Sequence, residues 1–191
     1  MKSKKGAIIA ISAPSGTGKT TIVRRILNDF KEIVFSVSAT TRTRRKNEVD
    51  GIDYFFITEE EFRKKIEKNE FVEWEVFYDN YYGSFRSFIE KHISKGKPVL
   101  IEVDVKGALE LKRIYPEAIL IYIAPPSLKE LLVRLKKRQT ETDEELKKRI
   151  KRAKMELSHK DKFDYFVINN DLNTAYKEIK VLISNITDRS N

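Results

Sequence analysis

The chain has 191 residues, 40% of them hydrophobic and 35% charged, with a net charge of +9, which allows one well-buried core carrying small subdomains but not a second full domain. No apolar stretch approaches the roughly 20 residues that a membrane span needs, and the lack of cysteine excludes disulfides, thiolate metal sites and thiol nucleophiles. The only histidines, His92 and His159, leave too little for a zinc centre or a Ser/His/Asp triad, and neither is given a role; chemistry must rest on charge and positioning, and the positive balance suits an anionic partner, nucleotide or nucleic acid.

The first residues, "MKSKKGAIIAIS", are basic and then apolar, but the run leads into a glycine-rich loop rather than a small-residue cleavage site. They are expected to form the first strand of a cytoplasmic protein. The loop, "ISAPSGTGKTT" from Ile11 to Thr21, matches the phosphate-binding pattern G-x-x-x-x-G-K-[ST] except that Ala13 replaces its first glycine. Such a loop binds mainly through main-chain N–H groups and the positive end of the following helix. Gly16 and Gly18 matter because they let the backbone turn sharply, whereas position 13 needs only a conformation open to a small side chain. Lys19 is then expected to bridge the transferring phosphates, and the Thr20 hydroxyl to ligate a magnesium ion. After the loop, Ile22, Val23, Ile26, Leu27 and Phe30 recur at helical spacing.

Between about Phe35 and Ser84 the pattern is interrupted. Arg42, Arg44, Arg45 and Lys46 crowd into five positions, and "GIDY" follows them. An arginine fork holds phosphate in bidentate fashion and the Tyr54 hydroxyl adds a neutral donor, so a second anion can bind here, although a solvated basic loop has the same composition. Thr58 with Glu61 forms a capping box that opens a short helix. In "FVEWEVF", Val72, Trp74 and Val76 alternate with Glu73 and Glu75, which predicts a strand whose apolar side chains pack while its carboxylates leave the other face.

Further buried strands are expected at Val99–Asp104, Ala118–Ala124 and Tyr165–Asn169, separated by helical patterns. The alternation predicts a parallel sheet covered by helices on both faces, an α/β fold. From about Leu128 to Glu156 two basic helices interrupt it, opened by Ser127 with Glu130 and by Thr142 with Glu145, with "RQTETD" as the turn between them. After Asp171, the residues Leu172, Ala175, Tyr176, Ile179, Leu182, Ile183 and Ile186 line one stripe of a last helix that closes the core.

The segments "SAPSGTGKTT", "SVSATTRTRR", "DGIDYFF", "NEFVEW", "YYGS", "VDVKGA", "APPS", "RLKKR" and "VINND" follow the order and spacing of guanylate kinases, so the whole chain resembles that family. The resemblance implies a P-loop parallel-sheet core flanked by helices (1–34, 85–127 and 157–191), a mixed α/β GMP-binding subdomain (35–84) and a helical lid (128–156). It implies transfer of the γ-phosphoryl group of ATP to GMP, with Mg²⁺ as cofactor. Ala13, Pro14, Ser15, Gly16, Thr17, Gly18, Lys19, Thr20 and Thr21 would hold ATP, with Thr20 also on the metal. Arg42, Arg45, Tyr54 and Tyr82 would hold the GMP phosphate, and Ser38, Glu73, Ser84 and Asp104 would read guanine. Lys19, Arg42, Arg134, Arg138 and Arg149 would be catalytic, Arg134 and Arg138 lying one turn apart on one helix face.

Chemistry agrees with the base assignment. Guanine presents N1–H beside an exocyclic amine, a pair that one carboxylate can accept and that adenine does not offer. Departures from the family pattern are Ala13, Glu102 and Lys106, where Asp and Gln are usual, and Asn170 in place of Asp. ATP and GMP or dGMP are the expected partners, with no nucleic acid and no membrane; monomer and homo-oligomer stay open. The alternatives are a guanylate-kinase-like module that binds phosphorylated peptides without catalysis, a ribose-phosphate kinase, and nucleic-acid binding driven by charge, for which no aromatic-basic RNA motif is present.

Overall fold

The computed structural model describes residues 5–77, 79–136 and 143–190. A five-stranded parallel sheet forms its centre, with strands β1 (Ile8–Ser12), β2 (Val34–Ser36), β7 (Val99–Val103), β8 (Ile119–Ala124) and β9 (Tyr165–Ile168) in the order β2-β7-β1-β8-β9. All four expected strands are found, within a residue of the expected ends. β2 is additional: it is too short to show a pattern of its own, and it runs across the 34/35 boundary to pair Phe35 with Leu100.

Alternation along β1 sends side chains to both faces of the sheet. Ile9 and Ile11 pack with Ile22, Val23 and Ile26 of helix α1 (Lys19–Asp29) and with Ala175, Ile179 and Ile183 of α7 (Leu172–Ser190). Ile8 and Ala10 face the other way, against Ile89 and Ile93 of α3 (Arg86–Ile93) and Ala108 and Leu111 of α4 (Val105–Ile114). Burial of each such aliphatic side chain contributes roughly 1.5–3 kcal/mol. The last helix starts as expected, with the Asp171 carboxylate accepting from the Thr174 N–H at 2.9 Å.

A second sheet, ordered β4-β3-β6-β5, holds β3 (Ala39–Thr40), β4 (Phe55–Phe56), β5 (Phe71–Phe77) and β6 (Asn80–Phe85). Its own small core is Phe62 of α2 (Glu59–Glu67) stacked on Phe71 at 4.3 Å, with Ala39 beside them. Thr58 and Glu61 cap α2 reciprocally, as the sequence predicts. On β5 Val72 is buried as expected, but from Glu73 onward the expected faces are reversed. Trp74 is 47% exposed and Val76 45%, while Glu73 is only 7% exposed. A register shift between Phe71 and Glu73 marks the change, and a serine hydroxyl on β6 compensates the buried carboxylate.

The third unit joins α5 (Leu128–Lys136) to α6 (Asp143–Leu157) through Leu131, Leu135, Leu146 and Ala153. Ser127 accepts from the Glu130 N–H at 3.1 Å, as its cap predicts. The Thr142 and Glu145 cap, the turn between the helices and Arg138 lie outside the described residues and side chains.

Candidate active site

The five parallel strands end at the same edge of the sheet, and loops beyond that edge gather the polar residues. Beyond β1 the chain turns through Gly16 (φ 93°) and Gly18 (φ 86°), both in the left-handed region where a side chain is strained. A Cβ at Gly16 would lie 3.0 Å from Leu135 of the lid, and one at Gly18 would lie 3.0 Å from Asn169. Ala13, by contrast, is buried without a positive φ, so the alanine leaves the loop's backbone path intact. The Thr17 hydroxyl donates to the Pro14 carbonyl at 2.7 Å, and the Asn169 amide donates to the Thr17 carbonyl, pinning the loop from inside and from β9. No acidic residue occupies the first turn of α1, which leaves the positive end of that helix for an anion.

Lys19 donates to the Val103 carbonyl at 3.2 Å and lies 3.6 Å from Glu102, whose same oxygen accepts the Thr20 hydroxyl at 2.9 Å. The longer acid at position 102 therefore reaches both the loop lysine and the loop threonine. Arg149 of α6 donates to the Ser15 hydroxyl at 2.7 Å. Arg134 instead donates to the Asn169 carbonyl at 3.0 Å and to Glu130, spanning from lid to core.

The residues expected to hold a second anion lie near the loop, with Tyr54 close enough to Glu102 to feel its charge. Arg42 is locked in a two-bond fork on Glu48, 2.9 Å for each, and lies 5.5 Å from the Tyr54 ring centre. Tyr54 and Tyr82 meet edge to face at 6.0 Å. Burial, the largest cause, and the Glu102 charge push the Tyr54 hydroxyl up to about 12, so it stays a neutral donor. Arg45 is exposed, its guanidinium 4.0 Å from Glu48. Arg24 of α1 donates to Asp53 at 3.0 Å, tying the helix behind the glycine loop to the segment that carries Tyr54.

Ser38, Ser84, Glu73 and Asp104 come from four separate stretches of chain and converge. The Ser84 hydroxyl donates to Glu73 at 2.6 Å and lies 3.4 Å from that of Ser38. Glu73 and Asp104 both crowd the space at Gly107, where a Cβ would lie 2.5 Å from the first and 3.1 Å from the second. Gly107 gives its N–H to Asp104 at 2.7 Å, the N-cap bond of α4. Burial, reinforced by the Asp104 charge, raises the Glu73 carboxyl from 4.5 to about 7, while the Ser84 bond and Lys19 pull it down.

Sequence reasoning missed Glu48, Asn169, Gly107 and Arg152. Asn169 stands one residue past a buried strand, where sites in open parallel sheets form, and could have been found by that rule. Glu48, a single acid after a basic run, carried a weaker signal. Nothing local marks Gly107 or Arg152.

The guanylate kinase family model matches residues 5–186. The chain is 46% identical over 180 residues to a guanylate kinase of Caldanaerobacter subterraneus subsp. tengcongensis, covering 94% of this chain and 87% of the relative. It is likewise 46% identical to a guanylate kinase of Thermotoga maritima, covering 94% and 86%. A crystal structure of guanylate kinase from Anaplasma phagocytophilum superposes with a TM-score of 0.77 at 32% identity, covering 99% of this chain and 88% of that one. The chain belongs to the guanylate kinase family.

Proposed function

We propose that this ATP:GMP phosphotransferase holds the two nucleotides phosphate to phosphate, ATP on the loop from Ala13 to Thr21 and GMP on the arginine and carboxylate site opposite. As a guanylate kinase, the chain transfers the γ-phosphoryl group of ATP to GMP to give ADP and GDP. The observation that carries the residue assignment is the convergence of Ser38, Ser84, Glu73 and Asp104, in which the Glu73 carboxylate is kept out of water with the Ser84 hydroxyl as donor.

The attacking atom is an oxygen of the GMP phosphate, already anionic near neutral pH, so no strong general base is needed. Lys19 neutralises charge on the phosphates it bridges. Arg42 exchanges Glu48 for the GMP phosphate, which presents a similar pair of oxygens to the same planar fork. Arg45, Tyr54 and Tyr82 complete that site, while Arg134, Arg138 and Arg149 bring positive charge from the lid and exclude water as it closes. Glu73 and Asp104 accept from N1–H and the exocyclic amine of guanine.

Thr20 and Glu102 supply hard oxygen donors 2.9 Å apart, suited to Mg²⁺. Among the described residues there is no cluster of three or more His, Cys, Asp or Glu that would make a cage independent of nucleotide. This donor set fits an ion that arrives with ATP phosphates and keeps several waters. When bound, Mg²⁺ would withdraw charge from the transferring phosphoryl group.

The division into core (1–34, 85–127, 157–191), GMP-binding subdomain (35–84) and lid (128–156) is supported by apolar clusters particular to the second sheet and to the lid, while Val72 joins the subdomain to the core on the sheet face of Ile8 and Ala10. Among the described residues no helix is long and apolar enough to cross a membrane, and we place the reaction in the cytoplasm, with nucleotides rather than nucleic acid as the partners of the positive charge. A coupled ADP-release assay across GMP, dGMP, AMP, CMP and UMP tests the reading: turnover with guanine nucleotides far above the others is expected, and equal turnover with AMP contradicts it.

A further inference from the structure

Arg152 lies on the lid helix α6, yet its guanidinium reaches both other units of the molecule. One terminal nitrogen donates to Asp104 at 2.6 Å and to Glu75 of β5 at 2.9 Å, and Nε donates to Glu156 at 2.8 Å. The group lies 4.3 Å from the Phe77 ring centre, a cation–π contact that fixes its plane. This is not a loose surface pair: Arg152 and Asp104 side chains are each 23% exposed, Glu75 18% and Glu156 6%. Lys106 adds a second cation, 3.5 Å from the other oxygen of Glu75.

Asp104 is therefore held from two directions, by the Gly107 N–H on one oxygen and by Arg152 on the other. A carboxylate oxygen accepts more than one hydrogen bond, so both supports leave capacity for a base. The first support belongs to the core and is fixed by the start of α4. The second belongs to the lid, and the same guanidinium nitrogen ties α6 to β5 through Glu75.

We propose that Arg152 is a positioning residue that couples the lid to guanine recognition, setting the Asp104 carboxylate and bracing β5 through Glu75 when the lid is down. The inference rests on the assignment of Asp104 to the base. Coupling of this kind is reciprocal, so guanine bound on Asp104 favours the lid position in which Arg152 is engaged, and the lid in turn favours guanine. The phosphate arginines respond only to charge; Arg152 makes the lid respond to which base is present.

The test compares Arg152→Gln, Arg152→Lys, Glu75→Gln, the Arg152→Gln/Glu75→Gln double variant and Asp104→Asn in the full-length enzyme, reading KM for GMP, KM for ATP and kcat. Arg152→Gln is expected to raise KM for GMP about tenfold with KM for ATP within about twofold, and Arg152→Lys to recover part of the loss. Glu75→Gln breaks the same link from the other side and should raise KM for GMP in the same sense, with the rise in the double variant smaller than the product of the two single rises. It also serves if Arg152→Gln fails to fold. An equal rise in both KM values, or fully additive effects, overturns the coupling. A rise in KM for GMP with Asp104→Asn but not with Arg152→Gln or Glu75→Gln overturns it while leaving the base assignment standing. If Asp104→Asn leaves the preference for GMP over AMP unchanged, the base assignment falls and takes the coupling with it.

Discussion

The loop proposed for ATP and the site proposed for GMP would both hold phosphates, but by different physical means. The loop works through main chain: two glycines at positive φ, an uncapped helix start and a single lysine, drawn from one run of sequence. The GMP site works through side chains from distant stretches, with Arg42 already engaged by Glu48 and a buried carboxylate raised to about 7. A main-chain site tolerates side-chain replacement wherever the backbone path survives. A side-chain site depends on each group's charge state and on partners that must be exchanged when ligand enters.

Replacing Lys19 should give the largest effect. Lys19→Met removes the one positive side chain on the loop, and kcat is expected to fall by roughly 10³ or more in the ADP-release assay, with little change in thermal stability. Retained turnover would mean that the loop binds without taking part in transfer.

Two substitutions on the same loop sharpen the main-chain claim. Gly18→Val forces a branched residue into φ 86° and meets Asn169 at 3.0 Å and Leu172 at 3.2 Å. It should cost roughly 1–3 kcal/mol in denaturant melts and weaken ATP binding well beyond tenfold. Ala13→Gly, which restores the usual pattern, should be the smallest effect, lowering stability by about 0.4–1 kcal/mol through the freer unfolded chain and leaving kcat/KM for ATP within about twofold.

This contrast also explains how much could be read in advance. The loop, its strand and its helix were legible because their signals are local: an apolar run, glycines at fixed spacing, then a helical stripe. Ser38, Glu73, Ser84 and Asp104 stand 11 or more residues apart and carry no shared local pattern, so only the family resemblance brought them together. On β5 alternation places Val72 correctly but not Trp74 and Val76, since period two identifies two faces but neither which one is buried nor where a register shift exchanges them. Here Glu73 turns inward toward Gly107 of α4, and Ser84 supplies the donor that makes the burial tolerable. Arg152 was hidden for a related reason: in a helix rich in lysine and arginine, nothing in sequence distinguishes the one cation that meets three carboxylates.

The central claim is that a buried, ionised Glu73 selects guanine, and its pH dependence offers the most direct measurement. Because the folded value is raised above 4.5, the carboxyl contributes stability that is full below the unfolded value and lost as pH rises through about 7, whereas guanine binding needs the ionised form and gains over the same interval. KM for GMP should therefore fall between about pH 6 and pH 8 in the wild type. Glu73→Gln controls for the titration of the GMP phosphate itself. The account predicts that the variant loses the part of this pH dependence owed to the carboxyl, loses roughly tenfold or more in kcat/KM for GMP, and melts higher than the wild type at about pH 8. A Glu73→Gln enzyme with unaltered GMP preference and the wild-type pH profile would contradict it.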